Sequence, residues 1–192
     1  MFDNHLGLTE AVLEGRKTMT RRLISNVIVS QELNEIDEDS YIGIGGADTR
    51  IIIDRFSRYK VGEVVAVAQS YKDCGHDLFI NQPGWTNKMF VRADLMPHQI
   101  RITNVRVERL QDISDEDVYK EGFEKQSVNN GWGNSAWHWE AMVTYMDYLG
   151  RYKDIRSPYP REAFACLIDK ISGNGTWDSN PWVFVYDFEL VK

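Results

Sequence analysis

With 192 residues, 43% of them hydrophobic and 27% charged, the chain has the length and composition of one globular domain with a substantial core. Its formal net charge of -7 repels phosphate at long range, which excludes bulk duplex DNA binding driven by overall charge but leaves a local basic site open to a small nucleic-acid ligand. No apolar run approaches membrane-spanning length, and Met1–His5 has neither the basic flank nor the apolar core of a secretory signal, so a cytoplasmic protein with no membrane partner is expected.

Residues 8–14 read as a short helix, with Thr9 as a candidate cap and Ala11, Val12 and Leu13 as its apolar stripe. Gly15 is placed to end it in the left-handed conformation. The next stretch, Gly15-Arg16-Lys17-Thr18-Met19-Thr20-Arg21-Arg22, sets four cations around two hydroxyls. Leu23 to Val29 reads as a strand, residues 31–48 as an acidic and then glycine-rich loop, and Ile51–Ile53 as a short strand. After a turn over 59–63, Val64 to Tyr71 is almost wholly apolar and reads as the central strand, buried on both faces. Residues 73–88 form a loop that carries Trp85, and Lys88–Ala93 is a further short strand. Gln99–Leu110 alternates as a long strand, and the slip between Ile102 and Val105 marks a bulge.

Ser114 caps a helix with an acidic first turn, and Gly122 stops it. Residues 126–139 look irregular and aromatic, and 140–149 fit a helix with Met142, Tyr145, Met146 and Leu149 on one side. A helix over about 161–171 places Phe164, Leu167, Ile168 and Ile171 at helical spacing, and Trp182–Leu190 is a closing strand. Strands mixed with helices, without repeats or a linker, indicate an α+β fold around a small barrel.

Lys17 and Thr20 stand three apart. They share a face on a helical turn and oppose each other on a flat strand, so joint action calls for a turn or tight bend. A base beside a hydroxyl makes it a nucleophile, and lysine serves only when burial or nearby positive charge lowers its pKa. Arg16, Arg21 and Arg22 supply such charge, while a solvated basic loop is the plainer reading. His5, His76, His98 and His138 show no metal spacing, and Cys74 and Cys166 show neither zinc nor disulfide spacing, so no metal and no cofactor are expected.

Gly15–Arg22 resembles the G-x-K-x-x-T-x-R signature of the ASCH domain, a branch of the PUA-like superfamily. Tyr59-Lys60-Val61-Gly62-Glu63-Val64-Val65-Ala66-Val67 is similar to that family's approach to a barrel strand. Arg101–Gly122 resembles its strand and short acidic helix, and Val183–Leu190 its closing aromatic strand. The resemblance covers about half the chain and extends to ASCH-like proteins carried by prophages and gut bacteria. It implies a single PUA-like domain over 1–192, a small β-barrel with flanking helices, with helical insertions at about 26–55 and 123–160.

The same resemblance implies a cleft for RNA or a nucleoside. More distantly, the chain is similar to the N(4)-acetylcytidine amidohydrolases of this family. Carried over by motif position, Lys17 is the proton acceptor, Thr20 the nucleophile and Glu121 the proton donor. Each has a plainer alternative: Lys17 and Glu121 as a structural ion pair, Thr20 as a turn cap or cross-strand partner, and Glu121 as a last-turn residue. Gln69, Ser70 and Tyr71, with Trp85, are candidate base-edge and stacking contacts beside Arg16, Arg21 and Arg22. Most aromatic rings fit equally as core. The expected function is RNA or modified-nucleoside recognition with amide hydrolysis. The alternative is a non-catalytic, phage-related module binding nucleic acid or protein.

Overall fold

The computed structural model describes residues 8–25, 28, 47–129, 137–146 and 151–191. The acidic and glycine-rich stretch over 31–46 lies outside them. Helix α1 (Leu8–Leu13) is where the apolar stripe puts it, and Gly15 closes it with φ 74°. Thr9 is not its cap. It lies buried within the first turn, and its hydroxyl accepts a hydrogen bond from the buried Lys88 amine.

The basic stretch is a strand rather than a loop. Strand β1 (Met19–Leu23) pairs antiparallel with the last strand, Trp182–Leu190, setting Thr20 opposite Tyr186 and Arg22 opposite Phe184. Of the strand expected over 23–29, Leu23 is the end of β1 and Ile24 and Ser25 belong to no strand, while residues 26, 27 and 29 lie outside the described residues. Ile51–Ile53, expected as a strand, sits in helix α2 (Ala47–Phe56). Ile52 is buried, Ile53 and Phe56 pack against the core and Ile51 faces out, a one-sided burial that suits a helix.

The apolar run after Gly62 forms only a short strand, β2 (Val64–Ala66), at the edge of the sheet rather than its centre. Val67 and Tyr71 are fully buried without belonging to a strand, so the run reports burial and not pairing. Lys88–Ala93 is irregular, not a strand. Phe90 adopts φ 66°, which breaks extended geometry, and a short 3-10 turn follows over Ala93–Leu95. Strand β3 (Gln99–Arg109) has its bulge between Ile102 and Asn104, where the alternation slips. Helix α3 (Asp115–Lys120) is capped by the Ser114 hydroxyl, which accepts from the Asp117 amide.

Within 123–160, where helical insertion was expected, the described residues form three strands, and the helix expected over 140–149 is a strand as far as Met146. Strands β4 (Glu124–Asn129), β5 (Trp137–Met146) and β6 (Tyr152–Ser157) form an antiparallel sheet in that order. Residues 130–136 of the expected aromatic loop, and Leu149, lie outside the described residues. Burial of Ala141 and Val143 between Met142 and Thr144 has a period of two, and two flanking strands complete the backbone pairing that a helix would have made internally. Helix α4 (Pro160–Ser172) buries Ala163, Phe164, Leu167 and Ile168, while Ile171 is exposed.

Strand β7 (Trp182–Leu190) holds the central place assigned from sequence to 64–71. The larger sheet runs β1-β7-β3-β2, antiparallel throughout, and curls into a half-barrel. Its strand alternation separates two faces. The inner face carries Thr20, Arg22, Phe184, Tyr186 and Phe188, and α2 leads into it through Ser57, which hydrogen-bonds Tyr186. The outer face carries Lys17, Met19, Arg21, Val183 and Val185, with α3 and α4 against it: Glu121 reaches Lys17, and Arg21 lies over the Phe164 ring. Among the described residues, no helix is long and apolar enough to cross a membrane.

Candidate functional site

The segment expected to bend is extended. The ladder between β1 and β7 begins at Thr18, whose carbonyl accepts from the Phe188 amide, and burial alternates from Lys17 to Arg21. Lys17, Met19 and Arg21 are buried, whereas Thr18 and Thr20 are half-buried. Pairing with β7 imposes this register, because a bend here would leave strand hydrogen bonds unmade.

Two backbone contacts bring Lys17 to the end of α3. The Lys17 amide donates to the Ala11 carbonyl at 2.8 Å, and the Thr18 amide donates to the Lys120 carbonyl at 2.9 Å. Gly122 permits the approach. It has φ 106°, and a Cβ there would lie 3.4 Å from the Cβ atoms of both Ala11 and Lys17. A larger residue at this position would meet both the backbone strain and the crowding.

The Lys17 amine, 2% exposed, donates to Glu121 Oε2 at 2.5 Å and to the Glu121 carbonyl at 2.7 Å. Arg21 Nη1 donates to the other carboxylate oxygen, Oε1, at 3.1 Å. Arg21 also contacts Glu108 Oε1 at 2.6 Å and Asp117 Oδ2 at 3.3 Å. Arg106 extends the network to Glu108, Asp117 and Asp187. Burying these charges is costly unless each is paired and hydrogen-bonded, and here they are.

Burial pushes the Lys17 amine below the usual lysine range. Glu121 pulls the other way, and Arg22 and Arg21 add to the lowering. For Asp117, burial raises the carboxyl, but Lys120, Arg21 and Arg106 together outweigh it and hold the group below its ordinary value. The lysine is thus shifted in the direction a general base requires.

These groups face a cavity of about 260 Å³. Lys17, Thr20, Arg21, Arg22 and Glu121 form its polar wall; Leu8, Leu23, Phe164 and Ile168 are among its apolar residues. Lys17, Thr20 and Glu121 therefore line one hollow. Among the described residues, however, no hydrogen bond joins Thr20 to Lys17, whose amine is turned to Glu121. The arrangement holds a buried amine–carboxylate pair on one face of the extended segment and a hydroxyl on the other, all three lining the same cavity. An amine, a carboxylate and a hydroxyl are the set needed to move protons during attack on a carbonyl.

The remaining candidates sit elsewhere. Arg16 pairs with Glu14 at 2.5 Å and Glu124 at 3.3 Å. Ser70 is buried and accepts from the Asp73 amide at 3.1 Å. Tyr71, 2% exposed, stacks on Phe79 with ring centroids 4.2 Å apart, and its hydroxyl accepts from the Arg92 amide at 2.9 Å. Gln69 keeps a buried side-chain carbonyl with no hydrogen-bond partner among the described residues, and Trp85 is half-buried in a turn. None of these five residues lines the cavity. Tyr71 serves the core, since its ring is enclosed on all sides.

Sequence reasoning missed Asp117, Glu108 and Arg106, which steady Arg21. The alternation of β3 carried part of that signal, because Arg106 and Glu108 share one face two residues apart. Among the described residues, no group of three or more His, Cys, Asp or Glu side chains is placed to hold a metal ion. Comparison of the chain with family models, with curated proteins and with solved structures finds no match.

Proposed function

We propose that the cavity beside β1 is the active site of an amidohydrolase acting on an acylated, cytidine-type nucleoside. One observation carries this reading: the Lys17 amine and the Glu121 carboxylate, separated by 104 positions, meet at 2.5 Å on the wall of a cavity that Thr20 also lines. The likeness of Gly15–Arg22 to the ASCH signature points the same way. At about 260 Å³, the hollow suits a base with a short acyl group better than a stretch of RNA.

In this reading, proton transfer within the close pair leaves Lys17 neutral and Glu121 protonated. The Thr20 hydroxyl adds to the acyl carbon as its proton passes, through a water in the shared cavity, to the Lys17 amine. The carbon–nitrogen bond then breaks, Glu121 gives its proton to the departing amine, and Thr20 holds the acyl group as an ester. Water attacks that ester and loses a proton to Glu121. Lys17 returns a proton to the Thr20 oxygen, which releases the acid and restores the pair.

The test is release of cytidine from N(4)-acetylcytidine and related acylated nucleosides by the wild type, Thr20→Ala, Lys17→Ala and Glu121→Gln. Product release by the wild type alone is expected. A second reading is a non-catalytic binding module in which Lys17–Glu121 is structural; it is favoured by the additional pairing of Glu121 with Arg21. Equal release by all four proteins, or by none, supports that second reading.

A further inference from the structure

A second hollow, of about 250 Å³, lies against the inner face of the half-barrel. Its lining joins two arginines, Arg22 and Arg58, to Tyr59, Tyr186, Ile102 and Phe188. Among the described residues, no carboxylate lines it, although the chain as a whole carries a net charge of -7. That local reversal of sign attracts an anion. The Arg58 guanidinium is exposed and lies over the Tyr59 ring at 5.6 Å; among the described residues it makes no ion pair. The Tyr186 hydroxyl bonds Ser57 at 3.0 Å and accepts from the Arg58 amide at 3.2 Å, which fixes the backbone that carries Arg58.

Thr20 and Arg22 line both this cavity and the one that holds Lys17 and Glu121. Strand β1 is the outermost strand of its sheet, so among the described residues its second edge has no strand partner. One ligand can therefore reach both faces around that edge. A guanidinium presents a planar fork of donors that matches phosphate oxygens, and two of them beside aromatic rings suit a phosphorylated nucleoside better than a bare inorganic ion.

We propose that the inner cavity holds the phosphate of a nucleoside monophosphate between Arg22 and Arg58. Resting on the hydrolase reading above, this makes the substrate an acylated nucleotide rather than a free nucleoside. Calorimetric titration of the full chain with cytidine 5′-monophosphate, cytidine and inorganic phosphate tests the binding without any turnover. The expected result is that the monophosphate binds about tenfold more tightly than cytidine, with the advantage reduced in Arg58→Gln and weakened by salt.

Arg92→Gln, which removes an exposed arginine paired with Asp94, controls for net charge and should keep the preference. Equal affinity for cytidine and its monophosphate, or a preference untouched by Arg58→Gln, overturns the proposal. So does inorganic phosphate binding as tightly as the nucleotide. In parallel, N(4)-acetylcytidine and its 5′-monophosphate are compared as substrates. Arg58-dependent nucleotide binding without cleavage of either compound removes the hydrolase and leaves the phosphate site. Cleavage of both at equal kcat/KM removes the phosphate site and leaves the hydrolase.

Discussion

The two faces of the β1-β7-β3-β2 sheet solve opposite problems. The outer face buries charge: Lys17, Arg21, Glu108, Asp117 and Glu121 satisfy one another under α3 and α4. The inner face buries aromatic rings, with Tyr59 and Tyr186 in an edge-to-face pair at 5.5 Å, and keeps its arginines at the margin of a cavity. Strand β1 and the extended residues just before it contribute to both, because their alternation sends Lys17 and Arg21 one way and Thr20 and Arg22 the other. A buried ionic network is fragile to the loss of one member. An aromatic face loses only the contacts of the atoms removed.

The largest difference between the faces should follow from Glu121→Leu. It strands the Lys17 amine beside a hydrophobic side chain and takes one partner from Arg21. A loss of about 3–5 kcal/mol in denaturant unfolding is expected. The double variant Lys17→Met/Glu121→Leu should recover most of it, since Arg21 keeps Glu108 and Asp117. A double variant as unstable as the single one would count against the network as drawn.

The same pair sets a pH dependence. The folded Lys17 amine lies below the ordinary lysine value. Between those two values the unfolded chain retains a proton that the folded protein has shed, so stability attributable to Lys17 rises with pH across that alkaline window. At pH below the folded value both forms are protonated, and the burial cost remains in full. The difference in unfolding midpoint between wild type and Lys17→Met, followed into the alkaline range, should move in favour of the wild type. A flat difference would contradict the lowered amine.

On the inner face, Tyr186→Phe removes one hydroxyl and leaves the Ser57 hydroxyl and Arg58 amide without that partner. About 1–2 kcal/mol is expected, well short of Glu121→Leu. Smallest of all is Thr20→Ala, a half-buried side chain on the outer strand. Its stability should change by about 0.5 kcal/mol or less, while release of product from an acylated nucleoside disappears. A stability loss comparable to that of Glu121→Leu would instead make Thr20 a structural residue.

The readable elements were those whose pattern and punctuation agreed. Ser114 with its acidic turn, the alternation of Trp182–Leu190 and the slip after Ile102 each had a local cause and appear where they were expected. The unreadable ones had patterns that fit two structures. Met142, Tyr145 and Met146 match helical spacing, yet pairing of β5 with β4 and β6 makes the segment a strand. Ile51–Ile53 has strand-forming residues in a helix with one buried side. The apolar run at 64–71 resembles a central strand buried on both faces, but only Val64–Ala66 pairs, at the edge of the sheet, and Val64 is exposed.

Local chemistry in the chain was enough to single out Lys17 and Thr20 as residues of interest, because cations and hydroxyls are features of a short window, whereas Glu121 entered only through the family resemblance of its short acidic helix. Their meeting was decided by the tertiary structure alone. The distance between Lys17 and Glu121 depends on the Thr18–Lys120 backbone contact, on the room left by Gly122 and on the register of β1 against β7. Those contacts join residues a hundred or more positions apart, and nothing in a local window encodes their geometry.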